Sequence, residues 1–241
     1  MRRAALVLLV LALAAAGCGG KSSKSGSAGG TFRIGSSSGI DSLNPYVAFN
    51  QDAYSTFQYV YPILVQYDAT NKHFAPFFAR SWKTSDAGKT WTFHTVPNAK
   101  WSDGKPLTAA DAAWTINTDV KYASGGAANE AGLVAHITRA DAPNPTTLVV
   151  HYKQAPGNVL GQFQQFFILP KHVWSKHIGH KGADLKTFPN NPPVVGSGPF
   201  TLVKYQKNEI ALFKRNGSYW GGARSRRSTP SGCGCSRTTT P

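Results

Sequence analysis

A serine-containing motif near the amino terminus is the first candidate for chemistry. Gly35-Ser36-Ser37-Ser38-Gly39 satisfies the G-x-S-x-G pattern of the hydrolase nucleophile elbow, which would make Ser37 the attacking serine. The elbow must turn from a strand directly into a helix, and Gly39 and Pro45 oppose a helix at this point. A Ser/Gly loop is therefore the favoured interpretation. A serine hydrolase that uses Ser37 stays open as an alternative.

Histidine and cysteine residues are the candidates for metal binding. His172, His177 and His180 are clustered, but spacings of five and three lack the i, i+4 pairing of a helical metal site, and no H-E-x-x-H occurs. Cys233 and Cys235 form a pair without the further ligands that a stable site needs. The sequence also lacks a Walker loop, a dinucleotide fingerprint and a catalytic pair of carboxylates. We predict no metal, no cofactor and no enzymatic activity.

The amino terminus has the features of an export signal. Two arginines precede the apolar run 4–16, which is too short for a permanent membrane-spanning helix. The junction Ala15-Ala16-Gly17-Cys18 resembles the bacterial lipobox, in which the cysteine becomes the lipidated first residue. We predict a signal peptide at 1–17, lipidation of Cys18 and a flexible tether at 18–30. A plain secreted protein is the alternative.

Charge and cysteine content restrict the function further. The chain has 26 basic and 11 acidic residues, but eight of the basic residues lie in the two ends, which contain no acidic residue. This distribution argues against nucleic-acid binding by the body. Residues 31–222 contain no cysteine, so packing must stabilise them. We predict an exported protein at the outer face of the cytoplasmic membrane or in the periplasm.

Hydrophobic periodicity and turn residues predict both helices and strands. The predicted elements are a strand at 31–34, a helix at 52–67 with Asp52 as N-cap, a hairpin turning at 85–89, a helix from Thr108 to about Tyr122 with Asp111 in a capping box, a strand at 146–152, a helix at 170–177, a linker at 189–193 and a hairpin of 198–205 with 209–215. No regular βαβ repeat connects these elements. We therefore predict an α+β fold.

Six motifs occur in a characteristic order along the body. They are Ala79-Arg80-Ser81-Trp82, the hairpin at 85–93, the W-x-D-G-x-P-L-T-A-x-D run from Trp101 through Asp103 and Gly104 to Asp111, the segment at 168–174, Gly196-Ser197-Gly198-Pro199-Phe200, and the segment at 216–222 with Tyr219 and Trp220. Their order resembles that of the family 5 extracellular solute-binding proteins, the dipeptide and oligopeptide receptors of ABC importers. The resemblance covers residues 31–222.

The resemblance implies a type II periplasmic-binding-protein-like fold, in which two mixed α/β lobes close around a peptide or another small solute and then dock on ABC permease subunits. By similarity, lobe I comprises 31–59 and 166–222, with an accessory subdomain at 60–165. Residues 223–241 have no apolar periodicity, which predicts an unstructured tail in place of the second lobe. A frameshift is one explanation of this tail. A truncated, non-functional remnant of such a receptor is the alternative.

The resemblance also suggests which residues contact the ligand. Candidate contacts are Ser42, Leu43 and Asn44, in the loop after the first strand, together with Gly196, Ser197 and Gly198. The remaining family positions are expected to be structural. They are Trp82, Trp101, Asp103, Gly104, Asp111, Tyr219 and Trp220.

Overall fold

The computed structural model describes residues 34–36, 38–70 and 72–221. Several predictions lie outside the described residues. These are the signal peptide, the lipidated Cys18, the tether, most of the strand at 31–34, the alternative nucleophile Ser37 and the tail at 223–241.

The described chain contains short helices and antiparallel strands. In chain order these are α1 (Gln51–Val60), β1 (Val65–Tyr67), β2 (Phe74–Pro76), β3 (Ala79–Ser85), β4 (Thr90–Thr95), α2 (Ala109–Tyr122), β5 (Ile137–Asn144), β6 (Thr147–Tyr152), α3 (Val159–Phe163), α4 (Lys171–Trp174), β7 (Phe200–Gln206) and β8 (Ile210–Arg215). Short 3-10 turns lie at Asp86–Gly88, Ala128–Glu130, Ser175–His177 and His180–Leu185. The mixture confirms the predicted α+β class.

The first helix differs from its prediction at both ends. Asn50, and not Asp52, is the N-cap, and its side chain accepts a hydrogen bond from the Ala53 N–H at 2.9 Å. The helix ends at Val60 and not at residue 67, because Pro62 disfavours helical backbone at Tyr61, which is extended. The last part of the predicted helix is instead strand β1, which pairs with β2.

The predicted hairpin at 85–89 belongs to a four-stranded antiparallel sheet with strand order β3-β4-β6-β5. The hairpin is confirmed by the register, in which Trp82 faces Phe93. Phe93 in turn pairs with Leu148 of β6, and both side chains are buried. Strand β5 was not predicted, because Asp141 and the Pro-Asn pair at its end give it a turn-like composition.

Helix α2 begins with the predicted capping box. The Thr108 side chain accepts a hydrogen bond from the Ala110 N–H at 3.3 Å, and Asp111 Oδ2 accepts one from the Thr108 N–H at 3.0 Å. The helix packs on β5 and β6 through a buried face that includes Ala112 and Ile116. Ala110 and Lys121 of the same helix are exposed, so α2 has one face in the core and one at the surface.

Aromatic side chains form much of the interior. Trp101 and Trp174 are completely buried, and Tyr46 packs edge-on against Trp174 at 5.4 Å between ring centroids. The β7–β8 hairpin packs on α1, where the Tyr59 ring lies 5.8 Å from that of Phe213. In the part of the chain that the structure describes, no helix has the length and apolar character needed to cross a bilayer.

Candidate functional site

Asn44, the first candidate ligand contact, is buried and uses its amide internally. Its Nδ2 donates to the carbonyl oxygens of Leu185 at 2.7 Å and Phe188 at 2.8 Å. Its Oδ1 accepts a hydrogen bond from the Tyr46 N–H at 2.8 Å. Because a buried amide is stabilising when its partners are satisfied, Asn44 holds the loop against the 185–188 segment. It presents no free hydrogen-bonding group at the surface.

The two neighbours of Asn44 are placed differently. The side chain of Leu43 is buried in the core, and its carbonyl oxygen accepts a hydrogen bond from Asn190 Nδ2 at 2.6 Å. The same Nδ2 donates to the Tyr61 hydroxyl at 2.8 Å. Ser42 is half-buried and its hydroxyl accepts from the Asn44 N–H at 3.0 Å. Of the three predicted contacts in this loop, only Ser42 has a partly exposed side chain.

The second candidate segment packs against the carboxyl end of α1. Ser197 is completely buried, and its N–H donates to the Val60 carbonyl oxygen at 2.9 Å. Its hydroxyl donates to the Lys100 carbonyl oxygen at 2.7 Å and accepts from Trp220 Nε1 at 2.9 Å. Ser197 therefore connects α1, the loop before the W-x-D-G motif and the Tyr-Trp motif.

The glycines on either side of Ser197 permit this close approach. A Cβ atom at Gly196 would lie 2.2 Å from the Val60 carbonyl oxygen, and one at Gly198 would lie 2.3 Å from that of Tyr59. The Gly198 N–H also donates to the Val60 carbonyl oxygen at 2.8 Å. The two candidate segments thus converge on α1, one through Asn190 and Tyr61 and the other through the Val60 carbonyl.

The W-x-D-G motif forms a turn that is attached to α4. Asp103 Oδ1 accepts from the Lys105 N–H at 3.2 Å, and Gly104 has a φ of +86°, a conformation that favours glycine. Asp103 Oδ2 lies 2.7 Å from His172 Nε2, and the Trp101 ring lies edge-on to the His172 ring. The His172 side chain is partly buried in this contact.

Asp111 links the motif to α4 a second time. Beyond its capping role, its Oδ1 accepts from the Lys171 N–H at 3.2 Å, and its side chain is largely buried. Burial raises the pKa of Asp111, while the hydrogen bonds from Thr108 and Lys171 oppose that shift.

The remaining family positions pack against the core. Trp82 is half-buried against the core. The Trp220 ring lies 5.2 Å from that of Phe77 and 5.3 Å from that of Tyr219. The contacts of these residues fit the structural role expected from the resemblance.

An exposed surface lies beside the predicted loop. Phe49 is 81% exposed, and its N–H donates to Asp41 Oδ2 at 2.9 Å. Asp41 Oδ1 is buried and has no hydrogen-bond partner among the residues that the structure describes. The hydroxyls of Ser36 and Ser38 both donate to Asp52 Oδ2, and these bonds lower the pKa of that carboxyl. We call Ser36, Ser38, Asp41, Phe49 and Asp52 the loop surface.

The sequence analysis did not identify Phe49 and Asp41 as candidate binding residues, although the sequence around Phe49 indicates that its side chain is exposed. Phe49 is a large apolar residue followed directly by the polar run Asn-Gln-Asp, without helical or strand periodicity to place it in the core. An exposed aromatic ring beside acidic groups can contact an apolar, positively charged ligand.

The three histidines do not form a metal site. His172 contacts Asp103, whereas the His177 ring stacks on Phe188 at 3.8 Å between centroids. Among residues 34–221, apart from the two undescribed positions, no group of three His, Cys, Asp or Glu side chains could hold a metal ion.

Comparison with known proteins decides the family. The sequence profile of the bacterial extracellular solute-binding proteins, family 5 Middle, matches residues 73–228, more than half of the chain. The chain belongs to this family. The resemblance inferred from the motifs is thereby confirmed. Family 5 consists of solute-binding proteins and not of enzymes.

Two curated relatives show how the length of this chain compares with that of similar proteins. A probable ABC transporter-binding protein of Deinococcus radiodurans is 30% identical over 205 residues, covering 80% of this chain and 33% of the relative. A probable peptide-binding protein, YejA, of Agrobacterium fabrum is 27% identical and covers 80% of this chain and 31% of the relative. The chain therefore spans about a third of the length of these curated relatives.

The solved structure shows the fold. OppA of Burkholderia pseudomallei superposes with a TM-score of 0.64 at 22% identity, over 77% of this chain and 38% of that chain. The fold is that of the type II periplasmic binding proteins, as the family resemblance predicted.

Proposed function

We propose that this chain belongs to a receptor that captures peptides outside the cytoplasm and delivers them to the permease subunits of an ABC importer. The observation that supports this proposal is the family 5 match over residues 73–228. The relatives add the transport system and the ligand class, since one is named as an ABC transporter-binding protein and another as peptide-binding. We further propose that Cys18 carries a lipid anchor, and that 31–59 and 166–222 belong to lobe I and 60–165 to an accessory subdomain.

We propose the loop surface as the ligand-facing part of the described chain. The six contacts suggested from the sequence remain candidates, but five of them have buried side chains or glycine backbones packed on α1. The loop surface instead offers an exposed ring at Phe49 and two half-buried carboxylates, Asp52 and Asp41, and the Oδ1 atom of Asp41 is buried. A peptide supplies the complementary groups, namely apolar side chains and a terminal ammonium.

The test is calorimetric titration of the purified full chain with synthetic di- to pentapeptides that have free amino termini. We expect saturable binding that weakens about fivefold or more in Phe49→Ala, because an aromatic anchor contributes over 1 kcal/mol when it is covered by a ligand. Leu212→Ala, which removes a 38% exposed side chain on β8, is the matched control.

Two outcomes contradict the proposal. The absence of saturable heat with every peptide, from a chain that unfolds cooperatively, rules out peptide capture by this chain. Equal affinity for amino-terminally acetylated peptides shows that the carboxylates of the loop surface do not bind the ammonium.

A further inference from the structure

A groove of about 410 Å³ runs along α2 beside the edge strand β5 and next to α4. Its α2 residues include Ala110, Trp114, Asn117 and Lys121, which recur every three or four positions and so share one face of the helix. Residues 142, 171 and 178 complete it from β5, from α4 and from the loop after α4. The groove is separate from the loop surface and from all six candidate contacts.

The groove is lined by apolar side chains together with the polar residues Asn117 and Thr118. Trp114 and Ile178 are half-buried, so each presents part of its side chain to the groove. Ala113 and Ala142 leave space between them because their side chains are single methyl groups. An apolar surface with an indole at its side can cover an aliphatic chain or an aromatic ring.

Two lysines give the groove a positive charge. Lys121 and Lys171 both line it and both are exposed. Within the described residues, neither ammonium group has a carboxylate within 4.0 Å, and Lys121 Nζ lies 5.1 Å from the Tyr122 ring centroid. The two acidic residues of α2 are buried, Asp111 at 7% and Asp119 at 1% exposure, and Asp111 Oδ1 accepts a hydrogen bond from the backbone N–H of Lys171 and makes no ion pair with its ammonium group.

The segment beside the groove is also basic. Residues 171–186 contain four lysines and a single acidic residue, Asp184. The Asp184 carboxylate lies against Gly179, where a Cβ atom would be 2.2 Å from its Oδ2. The same segment passes over the end of α2, since a Cβ at Gly182 would lie 2.6 Å from the Tyr122 ring. The segment that contributes Lys171 and Ile178 to the groove therefore has an excess of basic residues.

We propose that this groove binds a small amphiphilic organic anion. The apolar body of the ligand lies against Trp114 and Ile178, and its carboxylate, sulfonate or phosphate group is attracted by the ammonium groups of Lys121 and Lys171. The ligand should be an anion, because the two charged side chains in the lining, Lys121 and Lys171, are both ammonium groups. The volume is within the range of small-molecule sites, about 300 to 1,000 Å³. The inference stands independently of peptide capture.

The experiment uses the full chain and 8-anilinonaphthalene-1-sulfonate, a fluorescent probe with an apolar body and one sulfonate. We expect saturable enhancement of its fluorescence and displacement by octanoate, but not by 1-octanol at the same concentration. Lys121→Gln combined with Lys171→Gln should weaken probe binding about tenfold, since two charge-assisted contacts are lost. Ala110→Phe, which fills the groove from an exposed helix position, should abolish it.

Controls separate the groove from general effects. Lys83→Gln combined with Lys204→Gln removes the same charge from two exposed lysines elsewhere and should leave binding unchanged. Circular dichroism and a cooperative thermal transition establish that each variant is folded.

Three results would overturn the proposal. The first is unchanged binding in both groove variants, and the second is equal weakening in the control pair. The third is binding to anionic phosphatidylglycerol vesicles without displacement of the probe by octanoate, which would assign the lysines to a membrane surface.

Discussion

Asp119 on α2 and Glu130 after it have buried carboxyl groups. Burial disfavours the charged form of each group and so raises its pKa. The Tyr46 hydroxyl donates to Asp119 Oδ1 at 2.9 Å, and Glu130 is 7% exposed in the turn that follows the helix. Burial raises the pKa of Glu130 to about 7. Burial also raises the pKa of Asp119, and the nearby charge of Glu130 adds to that shift while the bond from Tyr46 opposes it.

These shifts predict that stability falls as the pH rises. The unfolded chain releases the Glu130 proton near its usual pKa of 4.5, whereas the folded chain keeps it to about pH 7. Between these values the folded state binds more protons, so the free energy of unfolding declines by up to about 3 kcal/mol. Glu130→Gln removes this ionisation, and we expect a flatter pH profile and higher stability at pH 8. Urea unfolding between pH 4.5 and 8 measures both.

The exposed Glu209 supplies the control for this prediction. Glu209→Gln should follow the wild-type pH profile, because its carboxyl is in solvent in both states. A residual slope from Asp119 is expected in Glu130→Gln. Parallel profiles for the wild type and Glu130→Gln would show that Glu130 does not titrate in the proposed window.

At the scale of elements, residues 196–198 pack closely against the carboxyl end of α1 and so connect two segments that are far apart in the sequence. Gly198→Ala would place its Cβ 2.3 Å from the Tyr59 carbonyl oxygen, so backbone must move. We expect destabilisation of about 2 to 3 kcal/mol, typical of overpacking in a rigid interior. Gly217→Ala is the matched control, since the space around its new methyl group is open to 4 Å, and it should change stability by less than about 0.5 kcal/mol. Similar melting temperatures for both variants would contradict this account.

At the scale of the whole molecule, the proposed lipid anchor would determine where the protein is located. The lipobox-like junction predicts that Cys18 is acylated, and several acyl chains together hold a protein on a bilayer, whereas one is marginal. We expect metabolic labelling with an alkynyl fatty acid to mark the wild type, and Cys18→Ser to move from the membrane fraction to the medium or periplasm. Cys233→Ser combined with Cys235→Ser should keep the label. An unlabelled wild type would favour the plain secreted protein.

Local interactions are the part of this protein that the sequence alone determined. The capping box of Thr108 and Asp111, the turn at Asp86–Gly88 and the alternating strand at Thr147–Tyr152 each depend on residues within a few positions, so their patterns predicted them correctly. The ordered motifs determined the family for the same reason, since each is a short continuous segment. The first helix was predicted too long, because Pro62 ends it locally and residues 65–67 pair with β2 as a strand.

The tertiary structure alone decided which side chains are available for binding. The sequence predicts Asn44 to be a loop residue, but its side-chain amide donates to the carbonyl groups of Leu185 and Phe188, more than 140 positions away. The Asp103 to His172 contact and the position of Lys121 and Lys171 along one groove likewise join residues about 50 to 70 positions apart. Such contacts depend on how helices and sheets pack, and packing is set by the sum of many weak interactions that no short pattern contains.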